Sequence, residues 1–134
     1  MESLGRHILL EYYGCPAERL DGNDFIEEVM VGAAKHMRAT LISVHFHQFN
    51  PHGVSGAVVI SESHLTIHTW PEYGYAAIDV FTCGDVIDPW EAHRYMKERF
   101  EPKRDSVMEI KRGCFDVPPG TLPSCYDVCP EPED

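Results

Sequence analysis

The sequence predicts an α+β fold, a two-layer sandwich in which one antiparallel sheet carries two helices on one face. Two observations lead to this fold class. Strand and helix patterns follow one another along the chain as strand, helix, several strands, helix and strand. Short turns separate the middle strands, which favours antiparallel pairing and leaves both helices free to cover one face of the sheet.

Turn residues and apolar periodicity predict the first strand and the first helix. Residues 7–13 form a strand that ends at Gly14 and Pro16. Asn23 is predicted to cap a helix that runs to about Met37. The apolar residues of this helix recur at helical spacing and form one stripe, made of Phe25, Ile26, Val29, Met30, Ala33 and Met37.

The same signals predict the remaining elements. A second helix begins at Pro89, with Asp88 as its N-cap, and runs to about Phe100. The other segments alternate in polarity between turn residues and are predicted as strands, over residues 41–49, 54–60, 65–70, 75–81 and 106–111.

Length, charge and hydropathy limit the class of protein. At 134 residues, the chain is predicted to hold a single domain over 1–117 and an acidic, proline-rich tail over 118–134. Its formal net charge of -11 argues against a nucleic-acid partner. The sequence shows neither a membrane span nor the features of an export signal, so we expect a cytoplasmic protein with no membrane partner.

The cysteines and histidines do not predict a disulfide framework or a metal site. The 5 cysteines are an odd number in a chain without an export signal, which favours free thiols. His45, His47 and His52 lie close together in the sequence but have no companion carboxylate. We therefore expect structural or solvent-facing roles for these histidines.

The segment from Ile60 to Trp70, Ile-Ser-Glu-Ser-His-Leu-Thr-Ile-His-Thr-Trp, carries the chemistry. Ser63 lies at its strand-to-strand corner, after Glu62 and before a histidine. A hydroxyl at a tight corner can attack the carbonyl carbon of the preceding residue, cut the chain before Ser63 and leave a ketone there. Because a reactive carbonyl is an electron sink, this corner predicts a decarboxylase that makes its own cofactor.

Hairpin register relates this corner to two further residues. If residues 71–74 form the turn, Cys83 is level with Glu62, beside the bond that would be cut. His68 lies opposite Ala77. It is therefore about 20 Å from Glu62 along the strand, at the usual rise per residue.

One protomer cannot bring both ends of this hairpin to the same reacting atom. A two-fold dimer sets one end of the hairpin against the other end of its partner. The sequence therefore predicts a homodimer with composite sites, in which Ser63 and Cys83 come from one chain and Ser55 and His68 from the other.

A long motif resembles a known family. The run SESHLTIHTWPEYGYAAIDVFTCG, residues 61–84, and the upstream GVSG, residues 53–56, resemble the short prokaryotic S-adenosylmethionine decarboxylases. The likeness extends from Ser3 to about Arg112. It implies cleavage between Glu62 and Ser63, with Ser63 becoming a pyruvoyl group that forms a Schiff base with the substrate. Neither a metal nor pyridoxal phosphate would be needed.

The resemblance also implies roles for the other site residues. His68 and Ser55 would assist self-cleavage, and Cys83 would be the proton donor in turnover. Phe49 and Trp70 would hold the adenine or the sulfonium of S-adenosylmethionine, and their aromatic rings suit stacking and cation–π attraction. Glu72 would bind the ribose hydroxyls. The expected product is decarboxylated S-adenosylmethionine, which supplies aminopropyl groups for spermidine synthesis.

Three alternatives remain open at this stage. A pyruvoyl enzyme of the same fold could decarboxylate arginine or ornithine, although such small cationic substrates need carboxylates where the adenosine would lie. The chain could also be an unprocessed binding or regulatory subunit. A hydrolytic or metal-dependent enzyme is the third alternative.

Overall fold

The computed structural model describes residues 2–84, 86–118 and 120–121. Its strands are β1 (Glu2–Tyr13), β2 (Leu41–Gln48), β3 (Val54–Ile60), β4 (Ser63–Trp70), β5 (Tyr75–Cys83) and β6 (Arg104–Phe115). The two α-helices in this part of the chain are α1 (Asn23–His36) and α2 (Pro89–Phe100). Short 3₁₀ turns occupy Ala17–Arg19 and Pro71–Tyr73.

The strands form one sheet in the order β2-β3-β4-β5-β1-β6, and every neighbouring pair is antiparallel. The helix α1 packs against β2 and β3, whereas α2 packs against β1 and β5, and the two helices contact each other. Both helices therefore lie on one face of the sheet. The predicted α+β sandwich is confirmed.

The core lies between the sheet and the helices. Along β4 and β5, buried and more exposed residues alternate, so every second side chain points into this layer. Apolar side chains of both layers meet there, among them Ile8, Leu10, Tyr12, Ile26, Met30, Val58, Leu65, Ile67, Ile78, Met96 and Phe100. The opposite sheet face, which we call the open face, carries the other half of the strand residues.

The strands β1 and β6 are longer than their polarity pattern predicts. The strand β1 begins at Glu2 instead of residue 7, and β6 spans Arg104–Phe115 instead of 106–111. The reason is that β1 and β6 pair along almost their whole length, from Glu2 opposite Phe115 to Tyr13 opposite Arg104. Backbone pairing extends these strands beyond the residues whose side chains alternate clearly.

The helix caps were predicted with mixed success. Asp88 caps α2 as expected, because its carboxylate accepts a hydrogen bond of 3.0 Å from the backbone N–H of Trp90. The prediction for α1 is wrong by one residue, since Gly22 is the N-cap and Asn23 is already helical. The backbone N–H of Asn23 instead donates to the side-chain oxygen of Gln48, 2.9 Å away. A tertiary contact thus replaces the local cap.

The predicted tail over 118–134 lies outside the described residues, apart from Pro118, Gly120 and Thr121. Within the part of the chain that the structure describes, none of the helices has the length and apolar character needed to cross a membrane.

A buried polar group links the two layers. The hydroxyl oxygen of Tyr12 lies 2.7 Å from His93 Nδ1, and His93 Nε2 lies 3.4 Å from a carboxylate oxygen of Asp105. Burial lowers the pKa of His93, although the neighbouring Asp105 carboxylate partly opposes this effect. The folded protein therefore prefers a neutral imidazole at this position.

This preference predicts acid sensitivity of the fold. Below pH 6.5, the ordinary pKa of histidine, His93 takes up a proton more readily in the unfolded chain than in the folded protein. The free energy of unfolding should therefore fall as the pH drops through this range and be insensitive to His93 above it. Urea unfolding of Ser63→Ala, with and without His93→Gln, measures the effect at several pH values. Burial also lowers the pKa of His7, so His7→Gln is measured in the same way to separate the contribution of His7 from that of His93. An unchanged slope in His93→Gln would contradict the prediction.

Candidate active site

The corner between β3 and β4 is a hairpin with two residues in its turn. Ser61 and Glu62 form the turn, and Ile60 pairs with Ser63 across it. Ser63 has a φ of 149°, a positive value that residues other than glycine adopt rarely. The backbone at the predicted cleavage site is therefore strained.

Contacts with the segment before β2 hold this turn. The backbone N–H of Ser61 donates to the carbonyl oxygen of Thr40 at 2.9 Å, and the backbone N–H of Thr40 donates to a carboxylate oxygen of Glu62 at 3.0 Å. The Ser61 hydroxyl also donates to Glu62. Glu62 is only 2% exposed. Its carboxylate therefore anchors the turn.

The predicted hairpin register is confirmed. Trp70 lies opposite Tyr75, His68 opposite Ala77, and Ser63 opposite Thr82. Cys83 follows Thr82, so it is level with Glu62 and beside the Glu62–Ser63 bond. The β1 residue opposite Cys83 is Gly5. A cavity of about 260 Å³ lies here, lined by Leu4, Gly5, Phe81, Cys83, Arg112 and Gly113.

Cys83 corrects one prediction. Its sulfur is disulfide-bonded, whereas Cys15 and Cys114 are free thiols. The expectation of free thiols throughout is therefore wrong for Cys83. An odd number of cysteines shows that one must lack an internal partner, but it does not exclude a pair. A disulfide sulfur carries no proton, and donation from Cys83 requires the bond to be reduced.

Ser55 and His68 come together on the open face. They are directly opposite in the β3–β4 ladder, and Ser55 Oγ lies 2.7 Å from His68 Nδ1. This contact orients the imidazole. The small Ala77 lies on the other side of His68, which leaves the ring accessible from the open face.

The three predicted substrate-binding residues lie at the same end of β4 as His68. The side chains of Phe49 and Trp70 are 47% and 40% exposed. Glu72 lies in the turn after β4, and its carboxylate is 2.6 Å from His52 Nε2. Two exposed aromatic rings and an accessible carboxylate suit a nucleoside that is also a cation.

A row of rings supports Trp70. Its indole stacks on Tyr75 at 5.3 Å between centroids, and Tyr75 stacks in turn on Tyr13 at 5.3 Å. The guanidinium of Arg104 lies 4.5 Å from the centre of the Tyr13 ring. Burial and a hydrogen bond to Glu11 raise the pKa of Tyr75, so its hydroxyl keeps its proton and donates to that carboxylate. These contacts fix the plane of Trp70.

The structure therefore places the predicted site residues in two groups. Ser63, Glu62 and Cys83 lie at one end of β4, while Ser55 and His68 lie near the other end with the aromatic residues. Along the strand, the two groups are about 20 Å apart. No single protomer brings all of them to one reacting atom.

Sequence reasoning missed two neighbours of the site. His52 contacts Glu72, but no pattern in the sequence links residues that lie in separate turns. Thr82 lies opposite Ser63, and the register that placed Cys83 could have found it. Within residues 2–84, 86–118 and 120–121, no three His, Cys, Asp or Glu side chains form a group that could hold a metal ion.

Comparisons with known proteins show the family and the fold. The family model described as S-adenosylmethionine decarboxylase matches residues 6–113. A Clostridium kluyveri protein named "S-adenosylmethionine decarboxylase proenzyme" is 60% identical over 116 residues, covering 87% of this chain and 92% of its own. A protein of the same name from Acetivibrio thermocellus is 56% identical over 118 residues, covering 88% and 95%. The crystal structure of the adenosylmethionine decarboxylase from Aquifex aeolicus superposes with a TM-score of 0.83 at 40% identity, covering 90% of this chain and 100% of that one.

The anchoring of the turn can be measured as stability. Glu62→Ala should lower the free energy of unfolding by about 1.5–3 kcal/mol, because hydrogen bonds to a buried carboxylate are lost. The measurement is urea unfolding in the Ser63→Ala background, where the chain cannot be cut at this bond. Glu98→Ala is the surface control, since the Glu98 side chain is 82% exposed, and it should change stability by less than about 0.5 kcal/mol. Equal effects of the two substitutions would contradict the anchoring role.

Proposed function

The chain belongs to the S-adenosylmethionine decarboxylase family, and from this premise we propose that it is a self-cleaving enzyme that converts S-adenosylmethionine to S-adenosylmethioninamine and CO2. The product would supply aminopropyl groups for spermidine synthesis. One observation carries the proposal beyond the family: Ser63, at a φ of 149°, directly follows an anchored turn and lies beside Cys83. A strained, anchored bond next to a hydroxyl suits self-cleavage.

Cleavage uses the protein's own atoms. Ser63 Oγ attacks the carbonyl carbon of Glu62, and the amide becomes an ester as the Ser63 nitrogen takes up the proton. Loss of the Cα proton of Ser63 then breaks the bond between its Cβ and Oγ, and the main-chain carboxylate of Glu62 leaves with that oxygen. The enamine left at residue 63 becomes an imine, and water converts the imine to the ketone and releases ammonia. An imidazole is a suitable base for this proton near neutral pH, which supports His68 in the role. Ser55, 2.7 Å from His68 Nδ1, would hold the ring in place.

The residues at the corner fit a pyruvoyl group at position 63. Ser63 is the first residue of β4, so its ladder partners would hold the head of the second fragment after cleavage. The cavity of about 260 Å³ beside Cys83 leaves room for the reacting end of a substrate. A ketone at this position would supply the electron sink that decarboxylation of an amino acid requires.

Cys83 is suited to return a proton to the substrate. It lies on the open face beside the head of β4, and its reduced thiol is a weak acid that can protonate the substrate α-carbon after CO2 has left. Because the sulfur is disulfide-bonded here, this role belongs to the reduced protein.

We also propose that a homodimer completes the site. The two residue groups lie at opposite ends of β4, and a two-fold axis through the open face would set the Ser63 end of one chain against the His68 end of its partner. Exposed apolar side chains on this face support such contact, among them Val59, Trp70, Met108 and Ile110. Phe49, Trp70 and Glu72 would then bind the adenosine next to the partner's Ser63.

Mass spectrometry of the intact protein tests self-cleavage. The wild-type chain should give fragments 1–62 and 63–134, with the second lighter by one ammonia than simple hydrolysis would leave it. Ser63→Ala should give one uncut chain and no CO2 release from labelled S-adenosylmethionine. The wild type should release no CO2 from arginine or ornithine, because its site offers aromatic rings to an adenosine. An uncut wild-type chain would favour a regulatory subunit instead.

Pairs of tagged variants test the shared site. Chains carrying Cys83→Ala and His68→Ala should each be inactive, whereas their co-expressed heterodimer should recover about half of the wild-type rate, since one of its two sites is intact. The matched control pairs a wild-type chain with a chain carrying both substitutions. That heterodimer should be inactive because each of its sites lacks one residue. Activities are measured with dithiothreitol, which reduces Cys83. The reverse pattern would place each site within one chain.

A further inference from the structure

Thr82 has a buried hydroxyl with no hydrogen-bond partner in the part of the chain that the structure describes. Its side chain is 0% exposed, and Oγ1 has no hydrogen-bond partner among the described residues. Buried hydroxyls in folded proteins nearly always have a partner, so each exception needs an explanation. Thr69, which is also buried, behaves normally, since its hydroxyl donates to the carbonyl oxygen of Leu20 at 2.7 Å. The residue type and its burial therefore do not explain Thr82.

The position of Thr82 suggests what its hydroxyl is for. Thr82 is directly opposite Ser63 in the β4–β5 ladder. Directly opposite residues of an antiparallel pair share a face, with Cβ atoms about 4.5–5.5 Å apart. Each hydroxyl oxygen is one bond from its Cβ, so rotation about Cα–Cβ can bring the two oxygens within hydrogen-bond distance. The two side chains can therefore meet without any shift of the strands.

The polar side chains of the turn itself are already engaged. The Glu62 carboxylate accepts hydrogen bonds from the Thr40 backbone and from the Ser61 hydroxyl. Ser55 and His68 of the same chain lie at the far end of β4. Thr82 is thus the polar side chain opposite Ser63 that remains available to its hydroxyl.

We propose that Thr82 is a positioning residue for self-cleavage, whose Oγ1 accepts a hydrogen bond from the Ser63 hydroxyl and aims Ser63 Oγ at the Glu62 carbonyl carbon. This inference rests on the proposed function and adds a residue to it. In the step that Thr82 assists, the bond from Ser63 Oγ to the Glu62 carbonyl carbon forms. The bond from that carbon to the Ser63 nitrogen breaks, and the hydroxyl proton ends on that nitrogen. Thr82 gains and loses no atoms.

The role ends with cleavage. Elimination removes Oγ from residue 63, so the mature protein has no serine hydroxyl for Thr82 to orient. Thr82 should therefore affect the rate at which the precursor is cut but not the turnover of cut enzyme. A threonine that merely supports the fold would affect both, because Cys83 is its neighbour in the chain.

Thr82→Val tests this directly, because valine has nearly the same shape and lacks only the hydroxyl. Cell-free synthesis with labelled methionine, followed by a chase, measures the cleavage rate on gels. We expect Thr82→Val to cut about tenfold more slowly than wild type, as loss of one well-placed hydrogen bond implies. Thr82→Ser restores a hydroxyl and should recover most of the rate. Thr66→Val is the matched control, since Thr66 lies on the open face against Asp79 and should cut normally.

Two further measurements separate positioning from structure. In the Ser63→Ala background, Thr82→Val should not lower the urea midpoint, because removing an unsatisfied hydroxyl costs no hydrogen bond. Fully cut Thr82→Val enzyme should turn over like wild type. Normal cleavage in Thr82→Val would overturn the proposal, and so would slow cleavage with a lower midpoint or impaired turnover. If the wild-type chain itself stays uncut, the proposed function fails, and the role of Thr82 fails with it.

Discussion

The hydrogen bonds between Thr40 and the Ser61–Glu62 turn are the constraint on which the rest of the site depends. A positive φ at a serine costs about 1–3 kcal/mol and persists only where surrounding contacts enforce it. Here the backbone of Thr40 holds the turn through Ser61 and the buried Glu62 carboxylate, while β4 pairs on both sides beyond Ser63. The Glu62–Ser63 bond, which we propose is cut, thus joins two firmly held segments. Because the turn cannot move to relieve the strain, the strain can lower the barrier for attack by Ser63 Oγ on the Glu62 carbonyl carbon.

Much of the fold could be predicted because side-chain alternation and hairpin register are local properties. The register placed His68 opposite Ala77 and Cys83 level with Glu62, and both placements are correct. The long β1–β6 pairing was missed, because it joins the two ends of the domain and leaves no short-range pattern. The cap of α1 was misjudged because Gln48, distant in sequence, binds the backbone that a local cap would have served.

The site was predicted less completely than the fold, for reasons of chemistry. A motif identifies reactive residues, but it does not identify the groups that orient them. His52 reaches Glu72 from a different turn, and Tyr75 supports Trp70 by stacking. Each contact depends on where a side chain points after the sheet has formed. The disulfide at Cys83 belongs to the same class, since pairing of sulfur atoms is decided by three-dimensional proximity and redox conditions.

The sheet order explains how the proposed cleavage would leave the protein folded. Cleavage before Ser63 would leave β1, α1, β2 and β3 in the first fragment and β4, β5, α2 and β6 in the second. The strands of the two fragments are interleaved in the sheet, because β3 pairs with β4 and β1 lies between β5 and β6. Three antiparallel ladders and the packing of α1 on α2 therefore cross between the fragments. Separating them would break most of the sheet and expose the core, so the peptide bond at the corner is free to serve as a reactant.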